Sequence, residues 1–237
     1  MESLKGKKVL LIGATGGIGA SLAKLLHGSG ANVYITGRNA EKLSVAGEQT
    51  GIPAGRQFQL DITHESSVYE TVAAVQQDGA IDILINAAGI GIIKTIDTLT
   101  TDDFLKTLQV NLIGSFWVTK AVLPAMKETK KGLIIHIPGV LGKVPMAGAA
   151  AYSASKYGLV GMMQSIREEL KRTEIRITNL FLGGVDSSFW DNIDLRVQRD
   201  KMVQAEEAAK AIWFLCQQPV SGVVSEMVLQ PFNHQAI

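Results

Sequence analysis

The feature that most constrains this chain is a glycine-rich turn between an apolar run and an amphipathic segment. Residues Val9–Gly19 read VLLIGATGGIG, so four apolar residues lead directly into a segment with four glycines. The apolar run is typical of a buried strand, and the following segment Ala20–His27 predicts a helix. Glycines let a ligand approach the backbone closely, and the free N–H groups at the start of a helix favour an anion. The turn therefore predicts a phosphate-binding site, although the pattern alone also fits a tight structural turn.

Short β-branched runs alternate with longer amphipathic segments along the rest of the chain. This alternation predicts βαβ units, and hence an α/β fold in which a single doubly wound Rossmann-type domain with a seven-stranded parallel sheet spans residues 1–237. The predicted strands are Lys8–Ile12, Asn32–Thr36, Arg56–Leu60, Ile81–Ile85, Leu133–Ile137, Arg176–Phe181 and Val223–Val228. Two long helices are predicted at Thr101–Lys127 and Ala151–Arg172. The irregular stretch Gly183–Lys201 is long enough to predict a functional loop, such as a substrate-binding lid.

The composition narrows the range of functions. The 237 residues are 46% hydrophobic and carry a formal net charge of +1. We therefore expect no nucleic acid and no membrane among the partners, and a small-molecule substrate instead. The first apolar run is too short for a signal sequence, so a cytoplasmic location is expected. Cys216 is the only cysteine and is expected to be buried, and no short histidine spacing suggests a metal site, so none is expected.

The end of the second predicted strand bears on which dinucleotide would bind. It reads YITGR over Tyr34–Arg38 and lacks a carboxylate that could accept hydrogen bonds from the adenosine ribose of NAD. Gly37 leaves room, and Arg38 offers a cation for a 2′-phosphate. These residues favour NADP(H) over NAD(H). The alternative is an arginine that ends a strand in solvent.

Tyr152 and Lys156 place a phenol and an ammonium one helical turn apart. A cation beside a phenol favours the phenolate, which lowers the tyrosine pKa from its usual value of about 10. Tyr152 is therefore a candidate general acid/base. The spacing alone also fits two neighbours on a solvated helix face.

Together these motifs resemble the classical short-chain dehydrogenase/reductase family. The resemblance rests on the glycine turn, Leu60–Ile62, Asn86–Gly89, Asn111 and the tyrosine–lysine pair, which occur in the family's order and spacing over nearly the whole chain. It implies an oxidoreductase that transfers a hydride between a nicotinamide cofactor and a carbonyl or secondary alcohol. It also implies a homodimer or homotetramer, because related proteins associate through the two long helices.

The resemblance assigns roles to individual residues. Tyr152 is implied to exchange the substrate proton, while Lys156 binds the nicotinamide ribose and lowers the tyrosine pKa. Asn111 is implied to hold a water that relays protons; otherwise it satisfies backbone groups at a helix bend, as Asp61 could simply cap a turn. The implied cofactor contacts are Gly13, Thr15, Gly16, Gly17, Ile18, Gly19, Arg38, Asp61, Ile62, Asn86, Ala87, Gly89, Tyr152, Lys156, Gly183, Val185 and Ser187.

One position departs from the family pattern. Classical members carry a serine at the end of the fifth strand that holds the substrate carbonyl, and Gly139 occupies that position here. Loss of one preorganised donor to a developing oxyanion typically costs about 10²–10³ in rate. We therefore expect weakened turnover or, alternatively, a catalytically impaired nucleotide-binding protein that acts as a sensor or scaffold. His136 lies three residues away and is expected to face the other side of the sheet as a satisfied buried histidine.

The residues that would flank the substrate by the same resemblance are all apolar. This favours an apolar carbonyl or alcohol, although such residues also serve as ordinary packing. They are Val140, Leu141, Val144, Met146, Phe189 and Trp190.

Overall fold

The computed structural model describes residues 1–193 and 195–234. The strands are β1 Lys8–Ile12, β2 Asn32–Gly37, β3 Gln57–Gln59, β4 Ile83–Asn86, β5 Lys131–His136, β6 Glu174–Leu182, β7 Val185–Asp186, β8 Val203–Gln204 and β9 Glu226–Leu229. Seven of them form one parallel sheet in the order β3-β2-β1-β4-β5-β6-β9, and β7 pairs with β8 separately. The predicted seven-stranded parallel α/β fold is confirmed, and each predicted strand overlaps an observed one.

The helices cover both faces of this sheet. They are α1 Gly17–Gly28, α2 Ala40–Thr50, α3 Glu65–Gln76, α4 Thr101–Leu108, α5 Gly114–Thr129, α6 Ala150–Leu170 and α7 Ala205–Leu215. The predicted long helix Thr101–Lys127 begins as expected, with a capping box between Thr100 and Asp103. It is not one regular helix, because a π-helical turn at Gln109–Ile113 separates α4 from α5. Within the described residues, no helix combines the length and the apolar character needed to span a membrane.

Two apolar cores form because successive residues of a strand point to opposite faces of the sheet. Leu11 packs with α1, α2 and α7 on one face. Leu10 packs with α3, α5 and α6 on the other. A parallel sheet buried on both faces needs strands that are apolar throughout, which is the pattern of Val9–Ile12.

The strand order reverses at β1, which lies between β2 and β4. At such a switch point the connections leave in opposite directions and open a crevice at the carboxyl ends of the strands. The register pairs Ile12 with Asn86, so the turns after β1 and β4 meet at this edge. The Ala87 N–H donates to the Ile12 carbonyl at 3.0 Å and fixes the two turns together.

Candidate active site

A cleft of about 1190 Å³ opens at the carboxyl edge of the sheet. Most residues that the sequence analysis assigned to a site share this one space. The lining includes Gly13, Thr15, Gly16, Gly17, Ile18, Gly19, Arg38, Asp61, Ile62, Ala87, Gly89, Gly139, Tyr152, Lys156, Gly183, Val185 and Ser187. Asn86 and Asn111 lie behind the cleft wall instead.

The glycine turn brings main chain against main chain at one end of the cleft. Gly13 has φ +86°, and a Cβ atom there would lie 2.9 Å from the Ala88 nitrogen. A Cβ on Gly19 would collide with the Gly13 carbonyl oxygen and lie 2.8 Å from the Ala14 Cα. No side chain fits at either position, so the turn needs glycine for packing as well as for access. The amino end of α1, capped by Gly16, therefore opens onto the cleft with its N–H groups accessible to an anion.

Cations and one carboxylate surround the far side of this turn. Gly37 lies so close to Thr15 that a Cβ would approach the Thr15 methyl to 2.5 Å. Beside it, Arg38 is exposed and lines the cleft with Lys42. Asp61 accepts hydrogen bonds from Thr63, from the backbone nitrogen at 2.9 Å and the hydroxyl at 2.7 Å.

The Asp61 carboxylate is the acidic group among the described cleft-lining residues. Partial burial acts to raise its pKa, but the Thr63 hydrogen bonds, with His64 and Arg38 nearby, hold the pKa below its usual value. Asp61 thus caps a turn and also faces the cleft as a carboxylate.

Tyr152 and Lys156 lie in the first two turns of α6 and face the same cleft. The Lys156 ammonium donates to the Ile137 carbonyl at 3.0 Å and lies 5.4 Å from the centroid of the Tyr152 ring. Burial lowers the pKa of Lys156 to about 8. Burial raises the pKa of Tyr152, contrary to the lowering expected from the sequence. The reason is that the protein walls withdraw water from the phenol, while the nearby ammonium is engaged with a backbone carbonyl.

Asn111 sits in the π-helical turn and joins two parts of the site. Its side-chain oxygen accepts from the Ile90 N–H at 2.9 Å, and its amide group donates to the Ile90 carbonyl at 2.9 Å. The same amide donates to the Ser155 hydroxyl at 3.0 Å, which donates to the Tyr152 carbonyl at 2.7 Å. Asn111 therefore ties the loop after β4 to the helical turn that carries the tyrosine.

A cluster of buried polar side chains, which we name the polar floor, lies beneath the site and consists of Asn86, Ser115, Thr119 and His136. Asn86 is only 3% exposed and donates to the Ser115 hydroxyl at 2.8 Å. Contrary to the prediction, its side chain therefore does not line the cleft. His136 is fully buried, and its Nε2 atom lies within hydrogen-bond distance, 2.9 Å, of the Thr119 hydroxyl. Burial, together with the charge of Lys156, lowers the pKa of His136 to about 3. The prediction of a satisfied buried histidine is confirmed.

Gly139 lines the cleft at the end of β5 and has an unusual backbone conformation. Its φ is +71° and its ψ is 170°. An L-amino acid rarely adopts such a conformation, because the Cβ atom crowds the backbone. A Cβ there would also lie 3.3 Å from the Leu182 carbonyl oxygen. The position thus offers no side-chain donor, and its main-chain shape suits glycine.

Aromatic side chains from the segment after β6 close the other end of the cleft. The Phe189 ring lies 5.9 Å from the Tyr152 ring, centroid to centroid, and packs edge-on against Trp190. The Trp190 indole N–H donates to the Val185 carbonyl at 2.9 Å. A side chain on Gly91 would collide with the Phe189 ring, so that glycine makes room for the aromatic group.

Sequence reasoning missed a wall formed by the residues after β9. Gln230, Pro231, Asn233 and His234 line the cleft. A Cβ on Gly183 would lie 2.8 Å from the Pro231 side chain, so the two segments touch. No motif marks these residues, and their place follows only from the position of β9 at the sheet edge.

The doubly wound sheet, the glycine turn and the facing tyrosine–lysine pair define a nucleotide-dependent oxidoreductase fold. The chain belongs to the short chain dehydrogenase family, whose sequence profile matches residues 7–198. It is 30% identical over 232 residues to an uncharacterized oxidoreductase of Staphylococcus epidermidis, covering 98% of this chain and 100% of the relative.

Solved structures of related proteins share the fold. A metagenomic short-chain oxidoreductase in complex with NADP is 29% identical, with a TM-score of 0.83 over 97% of this chain and 99% of the other. Serine dehydrogenase from Escherichia coli is 26% identical, with a TM-score of 0.85 over 96% of this chain and 99% of the other. The predicted family is therefore confirmed.

Proposed function

We propose that this protein is an NADP(H)-dependent oxidoreductase that acts on a carbonyl or secondary alcohol, with Tyr152 as its general acid/base. The observation that carries the proposal is that the glycine turn and the Tyr152–Lys156 pair line one cleft. When bound, the nicotinamide group would supply the hydride in reduction or accept it in oxidation, and the protein supplies orientation and exchanges the proton.

The residues of the cleft fit such a cofactor. The N–H groups at the start of α1 would hold the diphosphate, in a turn where neither Gly13 nor Gly19 can carry a side chain. Asp61 and Ile62 would flank the adenine, and Ala87 with Gly89 would line the middle of the cleft. Gly183, Val185 and Ser187 would lie near the nicotinamide.

Two cations support NADP(H) over NAD(H). Arg38 is exposed beside the narrow space between Gly37 and Thr15, and Lys42 lines the same end. A guanidinium suits a 2′-phosphate, and β2 ends without a carboxylate to bind the ribose hydroxyls. The NADP complex of the metagenomic relative agrees with this choice.

Tyr152 would donate a proton to the substrate oxygen in reduction and accept it in oxidation. Burial raises the pKa of its phenol, so the phenol is protonated at neutral pH, and proton donation depends on a group that stabilises the phenolate. The Lys156 ammonium, fixed by the Ile137 carbonyl, would stabilise the phenolate that forms. Asn111 would hold the loop after β4 against this pair and bind a proton-relaying water.

Gly139 would take the place of the family's serine and weaken the hold on the substrate carbonyl. A second candidate function follows from its left-handed backbone, which departs from a conformation that serine adopts readily. In that case the protein is an impaired nucleotide-binding member of the family that serves as a sensor or scaffold.

We also propose an apolar substrate and a homodimer or homotetramer. Apolar side chains including Val140, Leu141 and Met146 line the substrate end of the cleft. Leu105 is 57% exposed and Phe116 is 40% exposed on the helices that related proteins use for association. Both features favour contacts that bury apolar surface.

The test is NADPH consumption with a panel of apolar ketones and aldehydes. Tyr152→Phe should lower kcat by about 10²–10⁴ and leave NADPH affinity nearly unchanged, because it removes only the proton donor. Tyr157→Phe is the matched control, since Tyr157 is 45% exposed on the same helix and should keep full activity. An impaired scaffold would bind NADPH without turnover, and Tyr152→Phe would then change nothing.

A further inference from the structure

The segment between β6 and α7 is fastened by one arginine. Arg199 donates from Nε to Asp186 at 2.6 Å, from one terminal nitrogen to Asp191 at 2.8 Å, and from the other to the Ser187 carbonyl at 2.8 Å. These three partners lie 8 to 13 residues before it in the chain. We name residues 185–193 and 195–202 the lid. The guanidinium links the late part of the lid to its early part and adds to the β7–β8 pair at its base.

The residues that Arg199 holds are those that face the cleft. Ser187 lies against the glycine turn, because a Cβ on Gly17 would be 3.3 Å from the Ser187 Cβ. Two residues further on, Phe189 packs against Tyr152, with ring centroids 5.9 Å apart. Arg199 itself does not line the cleft. Its contacts fix the backbone from which Ser187 and Phe189 extend.

We propose that Arg199 is a positioning residue that fastens the lid over the bound dinucleotide and holds Phe189 against the acid/base. This inference rests on the oxidoreductase function proposed above, and it assigns to Arg199 the side-chain fastening of a lid whose base is held by the β7–β8 pair. Loss of the guanidinium contacts loosens two parts of the lid together: Ser187 at the cofactor site and Phe189 at the substrate site.

An arginine is the side chain that this fastening requires. Its planar guanidinium carries five donors in a fixed fork and reaches three acceptors in different directions at once. A lysine supplies one compact charge and cannot keep the same geometry. The hydrogen bonds to Asp186 and Asp191 raise the pKa of Arg199, and the negative charges of these two carboxylates raise it further. The guanidinium therefore stays charged at all relevant pH values.

The experiment compares Arg199→Gln, Arg199→Lys and wild type. The side chain of Arg199 is 41% exposed, so water screens its ion pairs and the effect is moderate. We expect Arg199→Gln to raise the Kd for NADPH about three- to tenfold, measured by NADPH fluorescence, with Arg199→Lys between it and wild type. Chymotrypsin should cut the unliganded variant several-fold faster at Trp190 or Leu195, since the lid is released.

Two controls separate positioning from general stability. Arg172→Gln removes an exposed arginine just after α6, and Asp200→Asn removes an exposed acid beside Arg199 whose side chain makes no hydrogen bond or ion pair with the described residues. Both should match wild type in Kd, in cleavage rate and in Tm. Asp186→Asn should reproduce part of the Arg199→Gln effect, with Tm nearly unchanged.

An unchanged Kd and an unchanged cleavage rate in Arg199→Gln would overturn the proposal. So would equal changes in Arg172→Gln. If wild type binds no NADPH, the proposed function fails, and the cleavage assay alone decides whether Arg199 fastens the lid. A lower kcat with unchanged NADPH affinity would mean that Arg199 positions only Phe189. That result would contradict the proposal that Arg199 also holds the lid over the dinucleotide.

Discussion

The two ends of the cleft are built from different parts of the chain. At the nucleotide end the wall is main chain, where the backbones of Gly13, Gly19 and Ala88 approach too closely to admit a side chain. At the proposed substrate end the wall is made of side chains. There the Phe189 ring packs against the Tyr152 ring, and Arg199 is bonded to the lid backbone. A wall of backbone tolerates almost no substitution, whereas a wall of side chains can change with the substrate.

The largest expected effect comes from a substitution in the glycine turn at the nucleotide end. Gly19→Ala places a Cβ against the Gly13 carbonyl, so we expect a loss of about 1–3 kcal/mol in the free energy of unfolding and the loss of measurable NADPH binding. Gly28→Ala is the control, because a Cβ at that end of the same helix meets no atom within 4 Å. Calorimetry and NADPH fluorescence check both. Wild-type affinity in Gly19→Ala would mean that the turn does not hold the phosphates.

The next effect concerns the polar floor beneath the site. His136 is neutral in the folded protein down to pH of about 3, whereas an unfolded histidine gains a proton below about 6.5. The unfolded state therefore binds more protons between these values, so stability is full above pH 6.5 and falls as the pH drops towards 3. At pH 5 this loss is about 2 kcal/mol relative to pH 7.

Replacing His136 should remove this part of the pH dependence. We expect His136→Asn to be less stable at pH 7, because the hydrogen bond to Thr119 changes, but to lose about 2 kcal/mol less between pH 7 and pH 5. Urea unfolding at several pH values measures the slope. His234→Asn, at an exposed histidine, should keep the wild-type slope. Equal slopes in all three proteins would show that His136 does not titrate on unfolding.

The smallest expected effect comes from a substitution at Gly139, at the proposed substrate end. Gly139→Ser supplies a hydroxyl but must adopt φ +71°, which costs about 1–2 kcal/mol of stability. We expect kcat to rise about tenfold, less than the full value of an oxyanion donor, because the strained backbone misplaces the hydroxyl. Gly6→Ser, at φ +76° with no neighbour within 4 Å, gives a reference for the cost of a serine at positive φ. No gain in kcat would indicate that the substrate pocket has diverged as well, and no turnover in either protein would favour the scaffold function.

The nucleotide end, which is built from main chain, could be predicted from the sequence. The other end, which is built from side chains, could be predicted only in part. The bounds of β1 and the Thr100–Asp103 cap follow from local patterns, because glycine spacing and helix caps act within a few residues. The π-helical form of Gln109–Ile113 was not predicted, since these residues have the pattern of an ordinary helix. The sequence offered a helix bend at Asn111 only as an alternative, and the hydrogen bonds of Asn111 to the Ile90 backbone support that alternative.

Burial and long-range contacts account for the remaining differences. The pKa of Tyr152 depends on how far the walls exclude water, and the sequence shows only its spacing from Lys156. The fastening by Arg199 joins residues 8 to 13 positions apart in an irregular segment, where no periodicity predicts partners. The left-handed backbone of Gly139 likewise goes with a long-range contact to β6, the hydrogen bond from its N–H to the Leu180 carbonyl.

The central claim is that a reduced dinucleotide lies with its diphosphate on the amino end of α1 and its reactive ring beside Tyr152. The most direct measurement is a fluorescence titration of the purified protein with NADPH and, separately, with NADH. We predict saturable binding of NADPH with a lower Kd than that of NADH, because Arg38 and Lys42 meet the 2′-phosphate. The absence of saturable binding of either dinucleotide would contradict the account.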